Sequence, residues 1–520
     1  IGTEEEMLAQ FPSGTIEQRY ADDIIVPGLI DPHMHVLLGS VLYSLPFATP
    51  WPMAGPSEDL PGFPTRTEFM ARLSEIVQSA EDDGSPVFIY GYHNLVQGNL
   101  TRDDLDAISS ERPIFVWHYS GHDFYLNSPA LTLAEITPAL HDTYEGIGLN
   151  EDGTLNGRVY EDALSHFFER IGRYLFNPVK ITQGAESYFS IMRAAGITTT
   201  AELAYGGFDR TLENAIIASS WSLEDDGFRL FLIPEFRAME REFSDDPASA
   251  VSKMVSGEIM TPAPVLPRIK FFTDGAFYSQ TMRLSPPGYM FGQSAGTEGL
   301  WVLQPDEIAD RISPYWDIGL SVHVHSNGDA AQTASLSALE TLRSKAPDRD
   351  FVIEHGGLFS PAQVERVAEL GAMVSAASHY VYFMSGDYQK PLGLERASWI
   401  SPLGSLSDNG VTVTIHSDAP LAPPQPLKAA GRHITRATRE GTIYQPGEAL
   451  TPYEALEAIT LDAARVLGLS DQIGSLEVGK AADFTILGQD PLTVDGNVWA
   501  DIPIIASMVD GIEQFKSSSN

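Results

Sequence analysis

Eight short apolar segments, separated by stretches of helical pattern, constrain the fold of this chain more than any other feature. Alternation of strands with helices is typical of parallel βαβ units. Eight such units favour a (β/α)8 TIM barrel, an α/β fold whose functional residues lie at the C-terminal ends of the strands. An open doubly wound sheet is the competing architecture, but no glycine-rich phosphate loop follows the first segment. The candidate strands are Ile24–His35, Ile197–Leu203, Phe228–Ile233, Arg268–Phe272, Leu320–His325, Asp350–His355, Ala372–Ala377 and Val411–His416.

Helical patterns complete the alternation. An amphipathic pattern over Ile181–Ala195 ends at Gly196, and glycine commonly terminates helices. The segment Thr451-Pro452-Tyr453-Glu454 is a capping box with proline in the first turn, and it predicts one helix extending to about Leu467. Further helices are predicted at Pro305–Arg311, Asp329–Ala346 and Pro361–Leu370.

A long insertion is predicted after the first strand, at about residues 40–180. Residues 40–65 contain six prolines, which are too many for regular elements. Strand-like patterns follow at Pro86–Tyr92 and Pro113–Tyr119. We expect this insertion to cover the active site.

The two ends of the chain predict a small second domain. The short strands Phe484–Leu487 and Ile505–Val509 need partners, and the N-terminal segment is the natural candidate. We therefore expect a small composite β-sandwich. The predicted domains are residues 1–26 for its first part, residues 27–450 for the barrel, and residues 451–520 for a C-terminal helix and the remainder of the β domain.

Charge and composition exclude several classes of function. The chain has 70 acidic and 32 basic residues, a net charge of −38, and such a surface repels phosphate backbones, so we expect no nucleic-acid partner. Solubility is the simplest reading of this charge, and steering of a cationic substrate is an open alternative. No apolar run approaches the roughly 20 residues of a membrane helix, so no membrane partner is expected. Because the chain has no cysteine, a transition metal would need other ligands, such as histidine or carboxylate.

Location and assembly are less constrained. The chain begins at Ile1 rather than at a methionine, so a leader could precede this numbering. The cytoplasm is the default expectation. The choice between a monomer and a homodimer is left open by the sequence. The expected partner is a small-molecule substrate.

Polar residues at the ends of the predicted strands are the candidate functional residues. His33 and His35 are two positions apart at a strand end, so their side chains lie on one face. Two imidazoles in that arrangement form half of a metal site. A single strand-end histidine is more often a structural residue, but six polar residues at one level of a barrel are hard to explain by core packing. The other four, each in or just after a later strand, are Lys270, His325, His355 and Asp418.

Two of these residues have a specific alternative interpretation. Lys270 could form an ion pair with Asp274, and Asp418 could cap the N-terminus of a helix. Neither alternative requires a metal.

With these residues in order, the chain resembles the amidohydrolase superfamily. More narrowly, it is similar to the N-substituted formamide deformylase-like branch, amidohydrolase family 3. The resemblance extends over nearly the whole chain. The segments that carry it are Pro27–His35, Lys270–Gly275, His325–Asp329, Ile353–His355, Ser417–Pro420 and Gly474–Asp483, with Ser120–His122 and Asn127–Leu131 in the insertion.

The resemblance implies one or two divalent ions, expected to be a binuclear zinc centre. His33 and His35 would hold the more buried ion, and His325 and His355 would hold the second. Lys270 would be carboxylated by carbon dioxide, and the resulting carbamate would bridge the two ions. Desolvation between Ile269 and Phe271 favours the neutral amine, which is the form that adds carbon dioxide.

The implied mechanism is hydrolysis by metal-bound hydroxide. A metal ion lowers the pKa of its bound water to near neutrality, and the hydroxide would attack a carbonyl polarised by the second ion. Asp418 would be a metal ligand and also the proton shuttle, passing the proton to the leaving nitrogen.

Residues of the insertion and loops are candidates for contacts with substrate. His122 would contact the substrate or the tetrahedral intermediate in a catalytic role, although a structural loop histidine is an equal alternative. The other candidates suggest an apolar or aromatic substrate part, although aromatic loops also simply cover a barrel mouth. They are Tyr125, Phe277, His379 and Tyr380.

Two further histidines lie beside the candidate ligands. His323 is two positions before His325, so it could touch the site or belong to a packed layer of the barrel. His416 is expected to alter the surroundings of the ligands without joining them. We assign His93, His118, His141, His166 and His433 to structure or surface.

The leading functional hypothesis is a metal-dependent hydrolase of a non-peptide C–N bond, such as an N-acyl or N-formyl amide. The alternative is the same site hydrolysing an ester, a lactone or a carbamate. A catalytically silent scaffold is a third hypothesis, and retention of all six metal-site residues counts against it.

Overall fold

The structure is a computed structural model that describes residues 2–81 and 83–517. The strands among these residues are β1 (Ile24–Pro27), β2 (Leu29–Met34), β3 (Val87–Tyr92), β4 (Ile114–His118), β5 (Asp123–Leu126), β6 (Ile147–Leu149), β7 (Leu155–Tyr160), β8 (Ile197–Tyr205), β9 (Arg229–Pro234), β10 (Arg268–Phe272), β11 (Ser321–Ser326), β12 (Phe351–His355), β13 (Met373–Ala377), β14 (Val413–His416), β15 (Phe484–Leu487), β16 (Ile504–Val509) and β17 (Ile512–Lys516).

The α-helices among the described residues are α1 (Glu4–Gln10), α2 (Val36–Leu42), α3 (Arg66–Ser79), α4 (Asn94–Gln97), α5 (Arg102–Ile108), α6 (Ser128–Leu133), α7 (Leu164–Leu175), α8 (Pro178–Ala194), α9 (Arg210–Ser220), α10 (Leu223–Asp226), α11 (Phe236–Glu242), α12 (Pro247–Val255), α13 (Ile308–Asp317), α14 (Asp329–Arg343), α15 (Pro361–Leu370), α16 (Gln389–Leu392), α17 (Leu394–Ala397), α18 (Leu403–Asp408), α19 (Pro426–Thr435), α20 (Pro452–Ala458) and α21 (Leu461–Leu467). Across the described part of the chain, no helix combines the length and the apolarity that a membrane crossing needs.

Two parallel sheets form a TIM-barrel-like α/β fold. One has the strand order β2-β8-β9 and the other has the order β10-β11-β12-β13-β14. Isolated parallel bridges join them at both edges, Glu235 with Lys270 and Met34 with Ala419. The eight strands of these sheets correspond to the eight predicted apolar segments, and the helices between them follow in the predicted alternation. The first segment, Ile24–His35, is not one strand, because its first part is β1 and pairs with β15 outside these sheets.

Side-chain alternation along the strands separates the apolar core from the polar interior. In β10, Ile269 and Phe271 are fully buried in the large apolar cluster, and Phe271 stacks on Phe236 of α11 at 4.6 Å between ring centroids. Lys270, between them, points to the other face of the strand. The same alternation directs polar side chains of the other strands toward one central site.

The prediction of one helix from Thr451 to Leu467 is wrong in one respect, because the segment forms two helices. Helix α20 ends at Ala458 and α21 begins at Leu461. At the break, Thr460 has φ −136° and ψ −91°, and the carbonyl of Ile459 accepts the backbone N–H of Ile30 in β2. The barrel strand therefore uses a carbonyl that a continuous helix would need.

The insertion folds around its own five-stranded sheet of order β3-β4-β5-β7-β6. Strands β3 and β4 are parallel and the remaining pairs are antiparallel. Residues of this region reach the loops that follow the barrel strands: Trp51 stacks on Phe383 at 4.4 Å, and the hydroxyl of Tyr119 donates to the carbonyl of Leu421. The insertion thus packs against the carboxyl ends of β13 and β14.

The two ends of the chain meet in a four-stranded antiparallel sheet of order β1-β15-β16-β17. Ile24 of β1 is opposite Leu487 of β15, so the sheet is composite. Among the described residues of these two segments there is this single sheet, so a sandwich stays a prediction. Gly28 alone separates β1 from β2, and a Cβ there would lie 2.1 Å from Thr198 Oγ1.

Candidate metal centre

Asp418 brings together the histidines at the ends of β2 and β12. Its Oδ1 lies 3.4 Å from His33 Nε2 and 3.1 Å from His35 Nε2, and its Oδ2 lies 3.6 Å from His355 Nδ1. All four side chains are at least four-fifths buried. Asp418 has φ +54°, a left-handed conformation that is uncommon outside glycine and that recurs at functional sites.

The position of Asp418 is fixed by the backbone of the first strand. Its N–H donates to the carbonyl of His33 at 3.2 Å, and the preceding Ser417 N–H donates to Asp31 Oδ1 at 3.1 Å. The next helix, α19, begins at Pro426 with Gln425 as its N-cap residue. Asp418 is therefore not a helix cap, and the alternative interpretation of this residue is wrong.

Two carboxylates that the sequence did not single out hold the outer nitrogens of these histidines. Glu354 Oε2 lies 2.7 Å from His33 Nδ1, and its Oε1 lies 2.6 Å from His323 Nδ1. Glu202 Oε1 lies 3.1 Å from His35 Nδ1, and its Oε2 accepts the N–H of Val36. Each carboxylate fixes the ring so that Nε2 faces Asp418, an arrangement found around metal-binding histidines.

Lys270 lies fully buried beside this cluster, and its Nζ has no hydrogen-bond partner. Burial lowers the pKa of Lys270 to about 8, against the opposing charges of Glu354 and Asp418. Among the described residues no ion pair joins Lys270 to Asp274. The Asp274 carboxylate instead accepts backbone N–H groups of Asn327, Gly328 and Arg283 at 2.9–3.0 Å. Neutral amine is therefore accessible near physiological pH.

His416 joins the cluster more closely than the sequence indicated. Its Nε2 lies 3.3 Å from His355 Nδ1, and its ring centroid is 4.4 Å from that of His33. Ser375 Oγ lies 2.7 Å from the other nitrogen, Nδ1, which fixes the ring. His33, His355 and His416 place their ligand atoms within 4.8 Å of one another, and His33, His35 and Asp418 do the same.

His325 lies at the edge of the cluster. Its ring centroid is 4.5 Å from that of His355, but its Nε2 is 3.1 Å from both the carbonyl of Gly275 and Asn327 Nδ2. Within the described part of the chain, His325 belongs to neither group that could hold an ion. The structure thus brings four of the six predicted ligands into direct proximity, with Lys270 beside them and His325 turned toward a loop.

The protonation of the cluster suits a cation. Burial opposes a charged imidazole, but contacts with Asp418 and Glu202 raise the pKa of His35 to about 10. Burial lowers the pKa of His33 and His355 well below the usual range. A divalent ion would replace the proton that His35 otherwise carries. It would also bind the buried His33 Nε2, which has no hydrogen-bond partner, so the residues fit a metal.

His122 reaches toward the site from the insertion. Its Nδ1 lies 3.1 Å from Glu161 Oε2, and Glu161 Oε1 accepts the hydroxyl of Thr281 at 2.8 Å. Burial lowers the pKa of His122 but the charge of Glu161 outweighs it, and the pKa is raised. The side chain is 31% exposed, so it can meet a ligand.

The remaining predicted contact residues divide into two groups. Phe277 stacks on Tyr380 at 4.4 Å, and the Tyr380 hydroxyl donates to Asn327 Oδ1 at 2.9 Å, so both lie next to His325. His379 is buried and lines a cavity beside the cluster. Tyr125 lies instead in the apolar core of the insertion and donates to Gln293 Oε1.

Solved structures share this architecture. An uncharacterized metal-dependent hydrolase from Pyrococcus horikoshii OT3 aligns with a TM-score of 0.68 and 21% identity, over 95% of this chain and 91% of that one. A second, from Pyrococcus furiosus, aligns with a TM-score of 0.64 and 23% identity, over 94% and 92%. At this identity the likeness shows the fold.

Curated relatives match at the level of sequence. The N-substituted formamide deformylase of Arthrobacter pascens is 24% identical over 100% of this chain and 93% of its own length. Protein LONG AFTER FAR-RED 3 of Arabidopsis thaliana is 26% identical over 91% of this chain and 79% of its own length.

These similarities and the site define a class, the metal-dependent hydrolases that act on carbon–nitrogen bonds. Residues 22–512 match the description "Amidohydrolase family", and the chain belongs to that family. The membership and enzyme class predicted from the strand-end motifs are confirmed.

Proposed function

We propose that this protein hydrolyses a non-peptide C–N bond of the N-acyl or N-formyl amide type. The observation that carries the proposal is the convergence of His33, His35, His355 and Asp418 beside the unpartnered amine of Lys270. The name of the deformylase relative adds support, since that protein acts on N-substituted formamides.

The metal would be held by the six predicted ligands, with His416 as an added candidate. His33, His35 and Asp418 form one group, and His33, His355 and His416 form another. His325 would join after its ring leaves the carbonyl of Gly275. When bound, zinc in one or two positions would supply Lewis acidity for activating water and polarising the carbonyl.

Lys270 is proposed to carry a carbamate. Its neutral Nζ adds to the carbon of carbon dioxide and loses a proton, so that the side chain gains a negative charge with two oxygens. Support comes from its complete burial, its unpartnered Nζ and its pKa of about 8. The negative charge would offset the cations that the neutral histidines cannot balance.

Asp418 is proposed as the proton shuttle. Burial raises its pKa, but the hydrogen bond and charge of His35 outweigh burial and hold the pKa below its usual range, so the carboxylate is ionised and can accept a proton. Its two oxygens face imidazole nitrogens of three histidines at 3.1–3.6 Å, which holds them at the reaction site. The protonated form would then donate to the leaving nitrogen.

We also infer that the two parallel sheets close into one eight-stranded barrel. The bridges at both edges support this, as do the bonds of His35 N–H to Ala419 O and Asp418 N–H to His33 O. The domain boundaries at residues 26 and 450 stay predictions. A small-molecule substrate is the proposed partner; the homodimer, the lack of a nucleic-acid partner and the cytoplasmic location stay predictions.

An amide hydrolase is separated from the alternatives by metal content and bond preference. Protein produced with zinc is analysed by elemental mass spectrometry and assayed with N-alkylformamides, N-alkylacetamides and the matching alkyl formates and acetates. We expect bound metal, and faster turnover of amides than of their esters. Turnover of esters alone favours the ester alternative, and metal-free, inactive protein favours the scaffold.

A further inference from the structure

A cavity of ≈ 200 Å³ lies beside the candidate metal centre. Ser378 and His379, which directly follow β13, form one wall, and Ser378 N–H donates to the carbonyl of His416. Ala422, four residues after Asp418, forms another, and Trp51 of the insertion closes a third. The cavity therefore opens where the catalytic loops and the insertion meet.

Two cations on one helix face this cavity. Lys428 and Arg432 lie one turn apart on α19, so their side chains project from the same face. Across the described residues, neither side chain has an acidic group within ion-pair distance. The Arg432 guanidinium carbon lies 3.7 Å from the centre of the Tyr382 ring, which positions the group while leaving its N–H donors available.

The other charged groups of the lining differ from this pair. Arg439 is neutralised by Asp387 at 3.1 Å and Glu440 at 2.7 Å. Asp59 is exposed at the rim. The charges of Asp59 and Asp501 oppose the effect of burial at Lys428, and that of Asp501 opposes it at Arg432, but burial outweighs them and lowers the pKa of both cations.

Buried polar rings without hydrogen-bond partners begin at the cavity, which Trp51 and His379 line, and His93 and Tyr278 connect these two residues. Trp51, His93, Tyr278 and His379 follow one another at ring-centroid distances of 5.5, 6.0 and 5.0 Å. Trp51 Nε1, the Tyr278 hydroxyl and both nitrogens of His93 and His379 have no hydrogen-bond partner. Buried polar groups are nearly always hydrogen-bonded, so the two of these side chains that line the cavity, Trp51 and His379, indicate a place for a polar ligand.

We propose that the substrate is an amide that carries a carboxylate, and that Lys428 and Arg432 bind this carboxylate. The proposal rests on the amide hydrolysis proposed above and names its substrate class. The ammonium of Lys428 and the guanidinium of Arg432 suit a carboxylate. The aromatic surfaces of Trp51 and Tyr382 suit an apolar group that carries it. The net charge of −38 does not exclude such a substrate, because exposed charges are screened over about 8 Å at physiological salt.

The proposal is tested by charge-matched pairs of compounds. N-acetylphenylalanine is compared with its neutral carboxamide. The matching ester pair, O-acetyl-3-phenyllactate and its neutral carboxamide, is assayed in the same way. Binding of 3-phenylpropionate and 3-phenylpropionamide is measured by calorimetry on the metal-loaded protein. The variants are K428M, R432M, the double variant and R432K, with K253M on the exposed face of α12 as the matched control.

We expect the carboxylate of each pair to be preferred by the wild-type protein and by K253M. The double variant should lose about 10- to 100-fold in kcat/KM for the carboxylate and under about threefold for the neutral compound, as expected for a hydrogen bond to a charged group. R432K should retain more of the preference than R432M. Thermal melting checks that each variant is folded.

Other outcomes separate this proposal from the proposed function. Turnover of amides without a charge preference, or equal losses for both members of a pair, overturns the carboxylate site and leaves amide hydrolysis intact. Turnover of the O-acetyl esters alone overturns amide hydrolysis. The carboxylate site is then tested by comparing the rates of the charged and the neutral ester. If neither pair is turned over, equal binding of 3-phenylpropionate by wild type and double variant overturns the site.

Discussion

The candidate metal centre and the cavity beside it differ in whether their buried polar groups have hydrogen-bond partners. In the cluster, His33, His35 and His416 each have one nitrogen held by Glu354, Glu202 or Ser375. At the cavity, Trp51 and His379 have polar atoms without hydrogen-bond partners, and so do His93 and Tyr278, which contact them. Groups that perform chemistry need a fixed direction, whereas groups that meet a substrate need free donors and acceptors. The difference supports our proposal that the first region performs the chemistry and the second binds the substrate.

Removal of the buried amine should break the cluster most completely. Lys270→Ala removes the carbamate that is proposed to balance the metal charge, so activity should fall to background and bound metal should decrease. Elemental analysis and an amide assay measure both effects. Lys253→Ala, on the surface, should change neither. Full activity in the Lys270 variant would rule out the carbamate.

Neutralising Asp418, the proposed proton shuttle, should lower the reaction rate while leaving much of the metal bound. Asp418→Asn keeps the shape of the side chain but removes the proton acceptor, so kcat should fall about 100- to 10,000-fold while much of the metal is retained. Steady-state kinetics and metal content report the two properties. Asp245→Asn, an exposed site, is the control. Normal turnover at neutral pH would show that Asp418 is no shuttle.

Weakening the support behind a ligand should give a smaller loss. The two carboxylate oxygens of Glu354 contact His33 and His323, one oxygen to each ring. In Glu354→Gln one of these oxygens becomes an NH2 group, which cannot accept a ring proton. Metal affinity should fall about 10- to 100-fold, as for other groups that orient metal-binding histidines. Titration with a competing chelator measures the metal affinity, and Glu365→Gln, at an exposed position, is the control. Unchanged affinity would mean that Glu354 serves packing alone.

The smallest expected effects come from two tyrosines, one whose hydroxyl has a hydrogen-bond partner and one whose hydroxyl has none. Tyr380→Phe removes a hydroxyl that donates to Asn327, and unfolding free energy should fall by about 1–2 kcal/mol. Tyr278→Phe removes a buried hydroxyl without a partner, so stability should stay equal or rise by up to about 1 kcal/mol. Urea unfolding compares them. A stability loss in both variants would mean that Tyr278 is bonded much as Tyr380 is.

The barrel was predictable from the sequence because each buried strand leaves an apolar run bounded by turns. The insertion sheet was only partly predictable: β3 and β4 are apolar, but β6 has three residues and β7 contains Asn156, Gly157 and Arg158. The break between α20 and α21 depends on a hydrogen bond to Ile30, which no local pattern encodes.

The candidate site was predictable as positions along strands, since alternation fixes which side chains share a face. The contacts across the barrel were not. His33 and Glu354 come from β2 and β12, which are separated by 321 residues and are not neighbouring strands. The one available signal was a charged residue inside the apolar strand Phe351–His355, since a buried carboxylate requires a partner. The direction of His325 depends on a loop carbonyl and could not be inferred from spacing.

The single residue between β1 and β2 has a consequence for how such chains are recognised in genomes. Strand β1 takes its hydrogen bonds from β15, so the strand that ends in His33 is anchored by residues near the other end of the chain. A gene shortened before Phe484 would still encode every candidate ligand, but it would leave β1 without its neighbour. Screening for active members by ligand motifs alone would accept such a gene, so the final strands belong among the required features.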